Sequence, residues 1–88
     1  MKLIIAILHH EDADPVSNAL IAANFRVTQI ASVGGFLRRG STTLMIGLGD
    51  TRVQDAFSII RNVSSPASDP GAKRATLFVL DIDQFEQL

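Results

Sequence analysis

No cysteine occurs among the 88 residues, so no disulfide staples the chain and no thiol serves as nucleophile or metal ligand. Trp and Tyr are also absent, and Phe supplies all five aromatic rings. Neither charge sign is in excess: eight Lys and Arg face nine Asp and Glu, for a net charge of −1. A chain without a basic surplus lacks the electrostatic footprint of a nucleic-acid binder, so no nucleic-acid partner is expected. No apolar run approaches the roughly 20 residues of a membrane helix. The N-terminal run Leu3–Leu8 is short, and His-His-Glu-Asp follows it in place of a small-residue cleavage site. It does not read as a signal peptide, so a cytoplasmic address with no membrane association is expected.

What is present is apolar. Hydrophobic residues make up 47% of the chain, a high share for one small domain whose own core is marginal at this length. Some apolar surface is expected to meet other copies of the chain, since closed symmetric oligomers are the common outcome for small proteins.

Leu3–Leu8 is a continuous run of strand length, rich in β-branched residues, and reads as a strand buried on both faces. His9 to Asp14 reads as a polar turn, with Asp14 as N-cap and Pro15 at the first helical position. Val16, Ala19, Leu20 and Ala23 then keep helical spacing, and Asn24 can close the helix. From Phe25 to Ile30 the chain alternates, with Phe25, Val27 and Gln29 on one side and Arg26, Thr28 and Ile30 on the other. A glycine-rich connection over 32–40 precedes a third strand over Thr42–Leu48. Asp50 reads as the cap of a second helix with Val53, Ala56, Phe57 and Ile60 on one face. A Ser, Pro and Gly-rich loop over 64–73 is expected to be flexible. The fourth strand spans Ala75 to Ile82. Two successive βαβ halves make an α+β fold, the ferredoxin-like βαββαβ sandwich: one antiparallel sheet with two helices on one face. The whole chain, 1–88, reads as a single domain. The other sheet face then needs a cover, and trimerisation through the sheets would provide it.

The segment Val33-Gly34-Gly35-Phe36-Leu37-Arg38-Arg39-Gly40-Ser41-Thr42-Thr43 is the most unusual in composition. Paired glycines permit close backbone approach, and successive N–H groups can cradle an anion. Two arginines add charge and Phe36 a flat apolar surface, so a phosphate joined to a base would use all three. A plain connection with solvated arginines is the alternative. The segment is not a Walker loop, which needs Lys-Ser/Thr after its last glycine. Arg26 and Thr28 share one face of the second strand, where an arginine pairs with phosphate or forms a surface ion pair. His9, His10, Glu11, Asp12 and Asp14 suggest a weak zinc site, but no third, distant His exists. A polar turn leading into a cap explains them better, so no metal site and no cofactor are expected. No serine has a nucleophile-elbow context, and no catalytic residue is assigned.

Taken together, Met1–Ile7, Asn24-Phe25-Arg26-Val27-Thr28, Gly34-Gly35-Phe36-Leu37-Arg38, Gly40-Ser41-Thr42-Thr43 and Ala75–Leu80 resemble the cyclic-di-AMP receptor family of P-II-like signalling proteins. The likeness covers residues 1–62 and 75–88. It implies a P-II-like homotrimer, not an enzyme, with a cyclic dinucleotide in each inter-subunit cleft. It further implies that Asn24, Arg26 and Thr28, together with Gly34, Gly35, Phe36 and Leu37, contact phosphate, ribose and adenine. Gly47 would lie near a base, with Phe78 and Gln87 also in the cleft. Two departures stand out. The family has Asn where this chain has Ser41, one hydroxyl in place of a carbonyl and an amide. The family also carries a longer loop before the last strand, where it addresses a downstream protein. The alternatives are a P-II-like trimer that senses another nucleotide or small anion, or acts only through a protein partner. A third class is a small enzyme or metal protein built on His9 and His10.

Overall fold

A computed structural model describes residues 1–30, 40–65, 75–84 and 86 of the chain. The elements are β1 (Lys2–His9), α1 (His10–Ala22), β2 (Arg26–Ile30), β3 (Ser41–Leu48), a 3-10 turn (Asp50–Arg52), α2 (Val53–Val63) and β4 (Ala75–Asp81). The sheet order is β2-β3-β1-β4 and every pairing is antiparallel. This is the expected ferredoxin-like α+β architecture. Each βαβ half leaves a gap of one strand, which the other half fills.

Both helices lie on one face of the sheet. There Ile4, Ala6 and Leu8 of β1 meet Leu44, Ile46 and Leu48 of β3, with Val16 and Leu20 of α1 and Ala56 and Ile60 of α2 closing over them. All of these are buried. Removing their apolar surface from water, at about 25 cal/mol per Å², is the main stabilising term of the fold.

The sheet's other face corrects one expectation. Strand β1 is not buried on both sides: Leu3, Ile5 and Ile7 alternate with its buried residues and are only half-buried. No second layer covers them among the described residues. The apolar run instead reflects a central strand whose uncovered side is also hydrophobic.

Two helix starts also differ from expectation. His9 belongs to β1, and α1 begins at His10, so His9–Asp14 is not a turn and Asp14-Pro15 is not a cap. The His10 N–H donates to the Gly40 carbonyl at 2.7 Å, satisfying a group that a helix end otherwise leaves orphaned. Glu11 and Asp12 in the first turn suit the positive end of the helix dipole. Asp12 is buried and accepts a hydrogen bond from Ser65 Oγ at 2.6 Å. Pro15 is thus the sixth helical residue, where its missing N–H leaves only the Glu11 carbonyl without a helical donor.

Asp50 does not cap α2. A 3-10 turn intervenes, and α2 starts at Val53 without a side-chain cap. The Asp50 carboxylate instead lies 3.2 Å from the N-terminal amine of Met1.

The end of α1 is as expected. Asn24 has φ +70, the left-handed conformation that Asn tolerates after a helix. The Phe25 N–H donates to the Leu20 carbonyl at 3.0 Å and the Asn24 N–H to that of Ile21 at 2.9 Å. This is the Schellman pair, and Phe25 and Leu20 meet in the core as its hydrophobic contact.

Candidate functional site

Register determines which candidate residues meet. On the uncovered face, Arg26 of β2 pairs with Gly47 of β3, which pairs with Leu3 of β1 and then Leu80 of β4. The next row is Thr28, Met45, Ile5 and Phe78, followed by Ile30, Thr43, Ile7 and Thr76. Arg26, Thr28 and Gly47 therefore form one group at the β2 side, within about 7 Å of each other by strand spacing. Asn24, exposed, lies two residues before Arg26.

Gly47 is unusual within this group. Its φ is not positive, so no backbone strain calls for glycine. A Cβ placed there would have no neighbour within 4 Å among the described residues, so their packing does not call for it either. A glycine in a strand interior often marks a bulge, a tight bend or a site of close approach by a ligand or another backbone. Here it leaves a gap between Arg26 and Leu3 on the open face.

Two of the other candidates, Phe78 and Ser41, do not join this group within one chain. Phe78 is on the same face and 52% exposed, but it is three strand spacings from Thr28, about 14 Å. Ser41 pairs with His9 at the far end of β3, six residues and about 20 Å from Gly47. Gly34, Gly35, Phe36, Leu37 and Gln87 lie outside the described residues, as do residues 66–73 of the expected loop. The first two residues of that loop are bound. Ser64 donates its N–H and its Oγ to the Ile60 carbonyl, and Ser65 holds Asp12.

The open face is apolar around the polar group. Ile30, Phe78 and Leu80 are its exposed large side chains, and Leu3, Ile5, Ile7 and Met45 are half-buried between them. Thr43, near its centre, is buried, and its hydroxyl has no partner among the described residues. A patch of this kind, with polar groups at one side, has the character of an interface.

The two histidines do not act as a pair. His9 ends β1, and Nδ1 of His10 is 2.8 Å from Thr42 Oγ1. Among the described residues no cluster of three His, Cys, Asp or Glu is placed to hold a metal ion. Nor is any described helix long and apolar enough to cross a membrane.

Sequence reasoning overlooked Arg52. Its guanidinium stacks on the Phe25 ring at 4.0 Å from the centroid and donates to the Ala23 carbonyl at 3.1 Å. No local sequence pattern marks it, because its partners lie on the other side of the molecule in chain order.

Comparison with known proteins identifies the family. Residues 1–70 match the family model described as cyclic-di-AMP receptor. Among solved structures, a functionally unknown protein from Pediococcus pentosaceus ATCC 25745 is 38% identical, with a TM-score of 0.77, covering 99% of this chain and 96% of that one.

Proposed function

The chain belongs to the cyclic-di-AMP receptor family, and on that premise we propose that it is a non-catalytic signalling protein that binds cyclic-di-AMP in clefts between the subunits of a homotrimer. Residues 1–88 would form one P-II-like domain acting in the cytoplasm and reporting to a downstream protein.

Gly47 carries the reading. The strand gives up a side chain where neither conformation nor packing asks for it, directly beside Arg26. A flat base could lie on that bare backbone while the Arg26 guanidinium takes a phosphate. Charge-assisted bonds of this kind contribute about 1.5–3 kcal/mol each. Thr28, one step along the same face, offers a hydroxyl. Asn24, Gly34, Gly35, Phe36, Leu37, Ser41 and Gln87 would complete the set.

Phe78 supports the inter-subunit placement. It shares the face with Arg26 but stands at the opposite side of the sheet. In a closed ring the β4 side of one copy would meet the β2 side of the next, bringing a partner's Phe78 toward Arg26. The apolar open face supplies the surface that such an assembly would bury.

Calorimetric titration with cyclic-di-AMP, with cyclic-di-GMP and ATP as controls, tests the ligand, and light scattering tests the trimer. The expected results are saturable heat with cyclic-di-AMP and a mass three times the single-chain 9.5 kDa. No heat and no thermal shift at about 100 μM ligand would overturn the ligand assignment, since a native-state ligand must raise the melting temperature. A single-chain mass at micromolar concentration would overturn the assembly.

A second reading rests on Ser41. It stands far from Gly47, and its one hydroxyl offers less than an amide. A smaller nucleotide or anion that needs only the Arg26, Thr28 and Gly47 group would not use it, and preference for ATP in the same titration would select that reading.

A further inference from the structure

We propose that Arg52 is a positioning residue for the ligand site, a clamp that sets Asn24 and Arg26 from the helix-covered side of the sheet. This rests on the function proposed above for those two residues.

The Schellman turn at the end of α1 uses the Leu20 and Ile21 carbonyls. The Ala23 carbonyl at the C-cap receives its hydrogen bond from Arg52 instead. Helix α1 has no basic residue in its last turn, so the negative end of its dipole lacks the cation that usually stands there. Arg52, arriving from the 3-10 turn, supplies it. The same guanidinium lies on the Phe25 ring. It therefore grips the residues on both sides of Asn24, the one non-glycine position with positive φ among the described residues. Asp55 Oδ2, 4.0 Å from Arg52 Nε, steadies the clamp from the first turn of α2.

Arg26 follows Phe25 directly, and its side chain projects to the opposite face. A rotation of the Phe25 peptide would be transmitted to the direction of Arg26, because successive side chains of a strand are locked to opposite sides. Lysine cannot replace the clamp: it keeps the charge but lacks the planar fork that stacks and donates at once.

The test uses the full chain with Arg52→Ala and Arg52→Lys. Expected is a loss of about tenfold in cyclic-di-AMP affinity, equivalent to about 1.4 kcal/mol, in both variants, with the trimer mass retained. In a double-mutant cycle the same substitutions made on Arg26→Ala should cost clearly less than on the wild type, because much of the effect runs through Arg26 and only the part through Asn24 remains. Equal losses in both backgrounds would overturn the positioning role. If Arg52→Ala does not fold, Arg52→Lys carries the cycle. A separate arm needs no ligand: backbone amide shifts of Asn24, Phe25 and Arg26 should move in Arg52→Lys while those of β1 stay fixed. Unmoved shifts would overturn the clamp. Failure of the wild-type chain to bind cyclic-di-AMP, with the shifts moving as expected, would instead fault the functional reading.

Discussion

The two faces of the sheet are made from the same strands, yet they do different work. On β3, Leu44, Ile46 and Leu48 face the helices and are buried. Met45 and Gly47, between them, face away and are half-buried. On the helix side the large apolar residues of the two central strands share one buried core with residues of α1 and α2. On the open side the residues are nearly as hydrophobic, but apart from the buried Thr43 they are half-buried or exposed. One face is complete within a single chain. The other has the composition of a core without a second layer among the described residues, and the polar group of Arg26, Thr28 and Gly47 sits at its margin.

Neighbouring residues of β3 give the most direct way to break this contrast. Ile46→Ala should cost about 2–5 kcal/mol of unfolding free energy, the usual range for opening a cavity in a packed core. Met45→Ala, one residue away, should cost much less for the single fold and act mainly by weakening assembly. Urea unfolding across a range of protein concentrations separates the two. The Met45 variant should depend on concentration and the Ile46 variant should be low throughout. Equal losses, both independent of concentration, would mean that the faces do not differ.

Arg26→Ala comes next in size. It should weaken cyclic-di-AMP binding about 10- to 100-fold by calorimetry, the equivalent of one charge-assisted hydrogen bond, with the chain still folded by circular dichroism. Binding that survives unaltered would move the ligand off this margin of the face.

How much of this was legible follows the range of the forces involved. The strands and the shared face of Arg26 and Thr28 could be read because alternation is local, with a period of two. The close of α1 at Asn24 could be read because a left-handed residue there has a residue-level signature. The start of α1 could not. Its first N–H is taken by Gly40 and its buried carboxylate by Ser65, both far along the chain, so Asp14-Pro15 imitated a cap that the tertiary contacts overrule. Asp50 misled in the same way, since its partner is the N-terminus. The pairing of Gly47 with Arg26 depends on register between β2 and β3, which alternation leaves open. Arg52 was invisible because a stacked guanidinium and a captured carbonyl leave no trace in spacing.

Gly47→Ala sharpens the contrast by moving stability and function in opposite directions. A glycine in a strand interior costs about 0.5–1 kcal/mol relative to alanine. The added methyl would meet nothing within 4 Å among the described residues, so the unliganded chain should gain up to that amount in urea unfolding. Cyclic-di-AMP binding should nevertheless weaken, because the methyl takes up the gap beside Arg26. A variant that loses stability instead would show that another chain's backbone already occupies the gap in the free protein.

The smallest effect belongs to the rim of the helix side, where Lys2 and Asp81 face each other across β1 and β4 and form an ion pair. The hydrogen bond from Lys2, and then its charge, hold the Asp81 carboxyl below its ordinary value of 3.8. The same hydrogen bond raises the Lys2 amine above its ordinary 10.5. A depressed carboxylate stabilises the fold above its unfolded value, and the gain is lost as pH falls through the lower folded value. A raised amine stabilises below its unfolded value, and the gain is lost as pH rises through the higher folded one. The contribution therefore has a plateau between about pH 4 and pH 10 and falls away outside it. Asp81 is well exposed, so Asp81→Asn should lower the melting temperature only slightly on that plateau. The difference should shrink further in about 1 M salt, where the Debye length is about 3 Å, and vanish in strong acid. A large, salt-insensitive drop would mean that water does not reach the pair, placing a second chain over the β4 rim as well as the open face.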